Sequence, residues 1–381
     1  MKILGINAFN ISSGGGLTHL LELLRLAVPE AHGFNRVVLW GRAKTLAAVG
    51  EYPWLQKESD PLLERGLMQR LFWQYFRFSR LAKEHRCDVV FVPGGGSVSG
   101  YHPYATMSRN MLPFEWPEVL RFGFSLMTLK FIALRFFQTA SFRDADGMMY
   151  LSAYARDRVG PLLGKDNGHI AMVPHGVNEA FRGVGERRSG FAEFSAGRPC
   201  RILYVSIVHV YKHHWHVAEA VSRLRAAGLP VTLELVGPPA SGSRRLDAAL
   251  AALDSGGDFI AYHGNVPYAE LPEVYAAADL FVFASSCENM PNILVEAMAA
   301  GLPIASSDRG PMPEVLGDAG VYFDPEDPQS IAAAVRQYIE SPSLMAEKSR
   351  AAFERSKQFS WERCARETFS FLAACARGAR S

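Results

Sequence analysis

The sequence predicts an α/β protein built from two Rossmann-like domains that face each other across a cleft. The chain has 381 residues, more than the roughly 250–300 that one hydrophobic core usually supports. Its hydrophobic content of 49% is sufficient for two well-buried cores. Short apolar segments alternate with amphipathic helical segments in two series, which predicts parallel sheets covered by helices on both faces. We therefore expect one domain at residues 1–180 and a second at residues 181–360.

The first series starts with a predicted strand at residues 2–8, followed by a Ser-Ser-Gly-Gly-Gly loop and the amphipathic segment LTHLLELLRLA. A strand, a glycine loop and a helix in this order are typical of the start of a Rossmann-like unit. The later strands of the series are predicted at residues 36–39, 88–92, 104–108, 147–151 and 170–173.

The alternation stops between residues 178 and 199, where GVGERRSGFAEFSAGRP indicates a linker. A second series follows, with strands predicted at residues 201–206, 232–236, 259–262, 280–284, 303–306 and 320–323.

Composition excludes several classes of protein. A net charge of +2 argues against a nucleic-acid partner. The five cysteines form no Cys-x-x-Cys motif, which argues against a zinc site or a disulfide framework and fits a reducing cytosol. The N-terminal MKILGINAF lacks the pattern of a signal peptide, and no run of 18 apolar residues predicts a membrane span. A cytoplasmic protein is expected.

The most informative segment is ENMPNILVEAMAAGLP, residues 288–303. Asn289 suits a helix cap and Pro291 suits a first helical turn, which places Glu288 in the preceding loop and Glu296 about one turn inside the helix. The free amides and positive dipole end of a helix start favour phosphate. Two carboxylates beside such a site can bind the hydroxyls of a sugar nucleotide, one at the sugar and one at the ribose.

The segments on either side, HGNVPYAELPEVYAAADLFVFAS and GLPIASSDRGPMPEVLGDAGVYFDPED, complete an ordered set of motifs. This set resembles the Glu-x7-Glu region of retaining GT-B glycosyltransferases of family 4, the glycosyl transferases group 1, over about residues 200–340. The resemblance implies a GT-B fold whose C-terminal helix, in residues 361–381, crosses back to the first domain. It implies a nucleotide diphosphate sugar as donor, no metal cofactor, Glu288 at the sugar hydroxyls and Glu296 at the ribose hydroxyls.

The strand ILYVS is followed in the family by Gly-Arg and, five residues past the arginine, by a lysine. Lys212 matches the lysine and is our predicted catalytic ligand of the diphosphate, with a surface lysine as the alternative. Ser206 and Ile207 stand at the Gly-Arg positions, so one positive charge is missing; Arg309 and His209 are candidates to supply it. The remaining predicted donor-binding residues of this domain are Pro291, Asn292, Ile293 and Gly237.

In the first domain, the resemblance brings the loop with Gly15 and Gly16 close to the diphosphate; a tight turn without a ligand is the alternative. The loop lacks the Gly-x-Gly-x-x-Gly spacing of a dinucleotide site, which argues against a nicotinamide enzyme. Where relatives have a His-Asp pair near the reacting sugar, this chain has Arg109 and Asn110. Both are predicted donors to the transferred sugar, with a structural role equally open.

Three further features have simpler explanations than chemistry. Asp144-Ala145-Asp146 imitates the Asp-x-Asp metal motif of the GT-A fold, but its place before a strand fits a helix C-terminal turn. Cys287 has no histidine tied to it by a local signature. His175 is expected to be a turn residue at the domain junction.

Two basic, aromatic-rich stretches, residues 65–86 and 121–143, suit a membrane surface, with core-facing helices as the alternative. They favour a lipid-linked saccharide acceptor and a peripheral location at the inner face of the cell membrane. Resemblance to bacterial polysaccharide mannosyl- or rhamnosyltransferases favours a GDP-linked hexose and a role in cell-envelope polysaccharide or O-antigen assembly. A catalytically inactive sugar-nucleotide-binding scaffold and a GT-B sugar-nucleotide 2-epimerase stay open as alternatives.

Overall fold

The computed structural model describes residues 2–12, 14–164, 168–184 and 194–378. It divides the chain into two compact units. The first unit comprises residues 1–114, 126–176 and 360–381, and the second comprises residues 115–125 and 177–359. Ser13 and most of the predicted linker lie outside the described residues.

The strands of the described residues form two sheets in which all neighbours are parallel. In chain order the strands are β1 (Lys2–Asn7), β2 (Phe34–Trp40), β3 (Leu55–Glu58), β4 (Val89–Val92), β5 (Tyr104–Met107), β6 (Gly147–Tyr150), β7 (His169–Met172), β8 (Cys200–Val205), β9 (Val231–Val236), β10 (Ile260–Tyr262), β11 (Leu280–Phe283), β12 (Ile304–Ser307) and β13 (Val321–Phe323). The first unit has the order β3-β2-β1-β4-β5-β6-β7 and the second has β10-β9-β8-β11-β12-β13.

Helices connect these strands. In chain order they are α1 (Gly14–Arg25), α2 (Ala43–Ala48), α3 (Leu67–Trp73), α4 (Ser79–Glu84), α5 (Trp116–Leu120), α6 (Leu126–Asp144), α7 (Ala153–Val159), α8 (His214–Ala226), α9 (Ser243–Leu253), α10 (Leu271–Ala277), α11 (Asn292–Ala299), α12 (Met312–Leu316), α13 (Pro328–Ile339), α14 (Pro342–Ser356) and α15 (Trp361–Gly378). A π-helical turn, Gln74–Phe78, joins α3 to α4. Among the described helices, none is both long and apolar enough to span a bilayer.

Central strands are apolar along their whole length because helices cover both faces of each sheet. The segments VVFV of β4 and LFVF of β11 are fully buried, as expected for parallel strands enclosed on both sides. Large side chains such as Trp40, Trp73 and Tyr104 complete the core of the first unit, each burial contributing about 1.5–3 kcal/mol.

The C-terminal helix α15 belongs to the first unit, where it packs against α1 and the sheet. Gly147 permits this packing, since a Cβ there would lie 2.5 Å from Sγ of Cys375 and 2.8 Å from the Phe371 ring.

The structure differs from the sequence prediction in two places. The strand β3, with the sequence LQKE, was not predicted, because an edge strand without an apolar run has no clear pattern. Residues 115–125 belong to the second unit, although the predicted boundary placed them in the first. The basic, aromatic stretch at 121–143 is therefore divided between the two units.

In each sheet the strand order reverses once, between β1 and β4 in the first unit and between β8 and β11 in the second. At such a switch point the loops leave the carboxyl ends of neighbouring strands in opposite directions and open a crevice for ligands. The predicted site residues follow these strands: Gly15 and Gly16 follow β1, Lys212 follows β8, and Glu288 and Glu296 follow β11.

Candidate active site

Glu296 lies one turn inside α11 with its carboxylate held by two tyrosines. It is 6% exposed. The hydroxyls of Tyr268 and Tyr275 donate 3.2 Å hydrogen bonds to its Oε1 and Oε2, respectively. Burial raises the pKa of Glu296 to about 7, and the two hydrogen bonds oppose that rise only in part. The carboxylate is fixed in orientation and retains lone pairs that can accept hydrogen bonds from ligand hydroxyls.

Lys212 and Glu288 form an ion pair where β8 and β11 end. Nζ of Lys212 donates to Oε1 of Glu288, and the side chains are only 8% and 16% exposed. The ammonium also lies 5.4 Å and 5.5 Å from the ring centroids of Tyr211 and Phe283. The alternative of an ordinary surface lysine is therefore wrong, because this cation is enclosed by two aromatic rings and a carboxylate.

The turn that carries Lys212 is fixed to the loop after β11. His213 adopts a left-handed conformation with φ of 50°, which is uncommon for a residue other than glycine. Nε2 of His213 lies 2.9 Å from Oγ of Ser286, and the Ser286 amide donates to the Tyr211 carbonyl at 2.9 Å. Burial, followed by the nearby Arg121, lowers the pKa of His213 to about 3, so this histidine is neutral.

The start of α11 differs in detail from the prediction. Pro291 is the N-cap residue, so the prediction of Asn289 as the cap is wrong. The amide of Asn292 donates to the Met290 carbonyl at 3.0 Å, which leaves it engaged within the chain. Ile293 is the second residue of α11, so its amide is among the first four N–H groups that have no partner within the helix.

Three other predicted site residues, Arg309, His209 and Gly237, follow strands of the same sheet. Arg309, after β12, pairs with Asp324 at 2.9 Å and with Asp308 at 3.2 Å, so its charge is engaged by two carboxylates. His209 contacts Ser241 through Nδ1 at 3.0 Å, and burial lowers its pKa, which disfavours a positive charge on this ring.

Gly237 has a structural reason to be glycine. A Cβ at this position would lie 1.9 Å from the carbonyl oxygen of Ser206, and its φ is 146°. Gly237 therefore allows the loops after β8 and β9 to approach each other closely.

Sequence reasoning missed a charged group that the segment 115–125 adds to the second unit. Arg121 donates to Glu118 at 2.7 Å and to both carboxylate oxygens of Glu326, at 2.5 and 2.9 Å. Its influence on the pKa of His213 places it beside the Lys212 turn. No local pattern reveals this group, because Arg121 and Glu326 are 205 residues apart in sequence.

In the first unit, Arg109 lies against the glycine loop. A Cβ at Gly16 would be 2.9 Å from Nη1 of Arg109, so the guanidinium packs directly over the first turn of α1. Burial lowers the pKa of Arg109 to about 10. The side-chain oxygen Oδ1 of Asn110 accepts a hydrogen bond from the Leu112 amide at 3.1 Å, which gives Asn110 a local structural role.

His175 is buried within the first unit and stacks on His19 with ring centroids 4.7 Å apart. Asp146 and Asp144 lie 2.7 Å and 3.5 Å from the ring nitrogens of His102. The search for three or more His, Cys, Asp or Glu side chains that could together hold a metal found none in the described residues. Burial raises the pKa of the Cys287 thiol, which disfavours a nucleophilic thiolate.

Comparison with known proteins agrees with this arrangement. The family model described as Glycosyl transferases group 1 matches residues 199–341. Over 112 residues the chain is 38% identical to O-antigen chain mannosyltransferase B of Escherichia coli, covering 29% of each protein. The aligned segments span between 29% and 56% of the first curated relatives.

Two solved structures share the fold along nearly the whole chain. Sucrose-phosphate synthase of Thermosynechococcus elongatus aligns with a TM-score of 0.72 at 16% identity, covering 97% of both chains. The Anabaena protein HepE, solved in complex with UDP, aligns with a TM-score of 0.69 at 17% identity, covering 97% of this chain and 98% of its own.

Two Rossmann-like domains of this kind define the GT-B fold, and the predicted fold class is confirmed. Residues 199–341, which contain Lys212, Glu288 and Glu296, match the glycosyl transferases group 1, in agreement with the predicted resemblance.

Proposed function

We propose that the chain is a retaining glycosyltransferase that takes a hexose from a nucleotide diphosphate sugar. The observation that carries the proposal is the group at the β8/β11 switch point, where the buried carboxylate of Glu296 in α11 and the largely buried Lys212–Glu288 ion pair follow the two strands. All of these residues lie within the segment that matches the family.

Each residue has a role that follows from its surroundings. A ribose offers two neighbouring hydroxyl donors, which are complementary to the acceptor-only carboxylate that Glu296 presents above its pKa of about 7. Glu288 accepts from hydroxyls of the transferred sugar. Lys212 and the Ile293 amide stabilise the departing diphosphate, where negative charge develops as the bond to the anomeric carbon breaks.

The proposed reaction proceeds on one face of the sugar. The acceptor hydroxyl forms a bond to the anomeric carbon as the bond from that carbon to the phosphate oxygen breaks. The departing phosphate oxygen takes the proton of the acceptor hydroxyl, so configuration is retained without a covalent intermediate. Because Lys212 provides positive charge at the leaving group, this reaction requires no divalent metal.

Two apolar faces of the first unit support a lipid-linked saccharide acceptor. On α3 and the following π-helical turn the exposed side chains are Leu67, Met68, Phe72, Tyr75 and Phe76, each more than half exposed. On α6 the exposed stripe is formed by Leu126, Leu129, Ala133 and Phe136.

Both faces adjoin the loop that follows β4. Gln74 donates to the carbonyl of Gly96 at 3.3 Å, and Oγ of Ser141 accepts from the amide of Ser97 at 2.7 Å. Other aromatics of the same stretches, such as Trp73 and Phe131, are buried, so these helices also contribute to the core. Exposed aromatic and aliphatic side chains with nearby arginines suit the headgroup region of an anionic membrane.

Similarity to the E. coli O-antigen mannosyltransferase supports mannose as the transferred hexose and a role in cell-envelope polysaccharide synthesis. We propose a GDP-linked form of that sugar as the donor. A peripheral position at the inner face of the cell membrane agrees with the two apolar faces.

Transfer is tested by incubating the protein with UDP-, GDP- and dTDP-sugars and a lipid-linked saccharide extract, followed by NMR of the products. We expect release of a nucleoside diphosphate and a product with the anomeric configuration of the donor. Isomerisation of the donor without acceptor would instead establish a 2-epimerase. Absence of transfer and of donor hydrolysis, with donor still bound, would establish a non-catalytic binding protein.

Membrane binding is tested by sedimentation with phosphatidylglycerol vesicles at low salt. We expect the wild type to bind and the double variant Phe72→Ser/Phe76→Ser to bind at least about fivefold more weakly. Each substitution removes apolar area that would be buried in the membrane on binding. Ile170→Ser, at an exposed aliphatic residue on β7, is the matched control. Equal binding of all three proteins would exclude this face as the membrane contact.

A further inference from the structure

The segment of residues 115–125 leaves the first unit and packs on the second. The chain belongs to the first unit up to Phe114 and again from Leu126, and the residues between them, which include α5, belong to the second. We call residues 115–125 the strap. Arg121 connects the strap to the second unit through a charged side chain.

The strap buries a carboxylate and exposes apolar side chains. Glu118 is 6% exposed, whereas Leu120 is 66% exposed and Phe124 is fully exposed. A buried carboxylate is costly unless a cation pairs with it. Nε of Arg121 donates to Glu118 at 2.7 Å and so provides that cation. The strap therefore needs Arg121 to remain docked.

Arg121 also joins the strap to the loop that follows β13. Its Nη1 and Nη2 donate to Oε2 and Oε1 of Glu326 at 2.9 and 2.5 Å, which is a bidentate arrangement. The hydrogen bonds with Glu326 are the main cause of the raised pKa of Arg121, and they lower the pKa of Glu326. Because a bidentate pair is directional, the guanidinium fixes the strap and this loop relative to each other.

A series of contacts leads from the same loop to the turn that carries Lys212. Nδ1 of His216 lies 3.0 Å from the carbonyl oxygen of Pro325. The ring of His216 stacks on that of His213, with centroids 5.3 Å apart, and Nε2 of His213 lies 2.9 Å from Oγ of Ser286. Burial lowers the pKa of both histidines, so the stacked rings are neutral and do not repel each other.

The strap also lies beside the loop that follows β11. Burial is the main cause of the raised pKa of the Cys287 thiol, followed by the charges of Glu288 and Glu118. The pKa of Tyr211 is raised by burial first and then by Glu288, and Glu118 contributes to this rise as well. Such influence falls off with distance, so Glu118 lies near both loops that carry the Lys212–Glu288 pair.

We propose that Arg121 is a positioning residue for glycosyl transfer. By docking the strap on the second unit, it fixes the Lys212 turn and the loop before Glu288 in the geometry that receives the donor. Arg121 acts through these loops and not by contact with the substrate. The inference rests on the proposed function for the identity of the ligand. Because the strap and the donor act on the same loops, each should bind more tightly when the other is in place.

The first test measures hydrogen–deuterium exchange by mass spectrometry on the full chain without ligand. The readouts are the strap and the peptide with Ser286, whose amide donates to the Lys212 turn at 2.9 Å. We expect Arg121→Gln and Glu326→Gln to speed exchange of both peptides by at least about fivefold. Arg223→Gln, which breaks an exposed pair within α8, is the matched control and should change neither.

The second test measures affinity for GDP and UDP by isothermal titration calorimetry. We expect Arg121→Gln and Glu326→Gln to bind the preferred nucleotide at least about fivefold more weakly, with little change in the urea midpoint. Arg121→Lys keeps the charge and should bind within about threefold of the wild type. The nucleotide should also slow exchange of the strap in the wild type but not in Arg121→Gln.

Wild-type affinity and unchanged Ser286 exchange in both variants would overturn the positioning role. If Arg121→Gln does not fold, Glu326→Gln decides, because it removes a half-exposed carboxylate and leaves the pair of Arg121 with Glu118 in place.

The two proposals can fail separately. If Glu296→Ala loses nucleotide binding while Arg121→Gln and Glu326→Gln change neither affinity nor exchange, the donor site stands and the positioning role does not. If the wild type binds no nucleotide but exchange at Ser286 rises in both variants, Arg121 positions the loops and the donor assignment is wrong.

Discussion

Glu296→Gln is expected to change the pH dependence of stability by an amount that the structure sets. Burial raises the pKa of Glu296 from 4.5 to about 7 in the folded protein. Between these pH values the folded state keeps a proton that the unfolded state has released, so the free energy of unfolding falls as the pH rises. At about 1.4 kcal/mol per pH unit, this difference in pKa corresponds to a change in the free energy of unfolding of at most about 3.5 kcal/mol.

Glutamine keeps the shape of Glu296 and its contacts with Tyr268 and Tyr275 but has no charge, so the variant lacks this slope. The assay is urea unfolding of both proteins between about pH 4.5 and pH 8, with the wild-type free energy subtracted from that of the variant at each pH. The difference should grow in favour of the variant up to about pH 7 and then level off. Glu347→Gln, at an exposed glutamate, controls for the change in net charge. A difference that does not vary with pH would show that the carboxylate is not buried as described.

Two more substitutions test the packing of the site. Lys212→Gln leaves the largely buried Glu288 without its partner. We therefore expect this variant to be about 1–3 kcal/mol less stable to urea unfolding than the Lys212→Gln/Glu288→Gln double variant. Equal stabilities would contradict the buried ion pair. Gly237→Ala brings a methyl group onto the Ser206 carbonyl and should lose more than about 2 kcal/mol. At Gly228, which has φ of 83° and open space, the same change should lose only about 1 kcal/mol, so equal losses would refute the close approach.

The sequence was sufficient to predict most of the fold, because every central strand is a short apolar run bounded by turn residues. The predicted strands are present with ends shifted by one or two residues. The strand β3 was missed because its LQKE sequence carries no apolar alternation. The place of residues 115–125 in the second unit depends on long-range pairs such as Arg121 with Glu326, which no local pattern encodes.

In the candidate site, too, local sequence predicts the positions of residues along the chain but not their long-range contacts. The positions of Glu288 before α11 and Glu296 within it followed from helix-start signals, and the structure agrees. The tyrosines that hold Glu296 are present in PYAELPEVYAA, but the sequence does not show that Tyr275 on α10 and Tyr268 in the turn before it both point toward Glu296 on α11. The enclosure of Lys212 likewise depends on rings from separate elements.

The central claim is that Glu296 binds the ribose of a nucleotide diphosphate sugar, and calorimetry with GDP and UDP tests it most directly. We expect Glu296→Ala to bind the preferred nucleotide at least about tenfold more weakly than the wild type, since two charge-assisted hydrogen bonds are lost. Glu347→Ala, at the exposed glutamate, should bind as the wild type does. Unchanged affinity in folded Glu296→Ala would contradict the account.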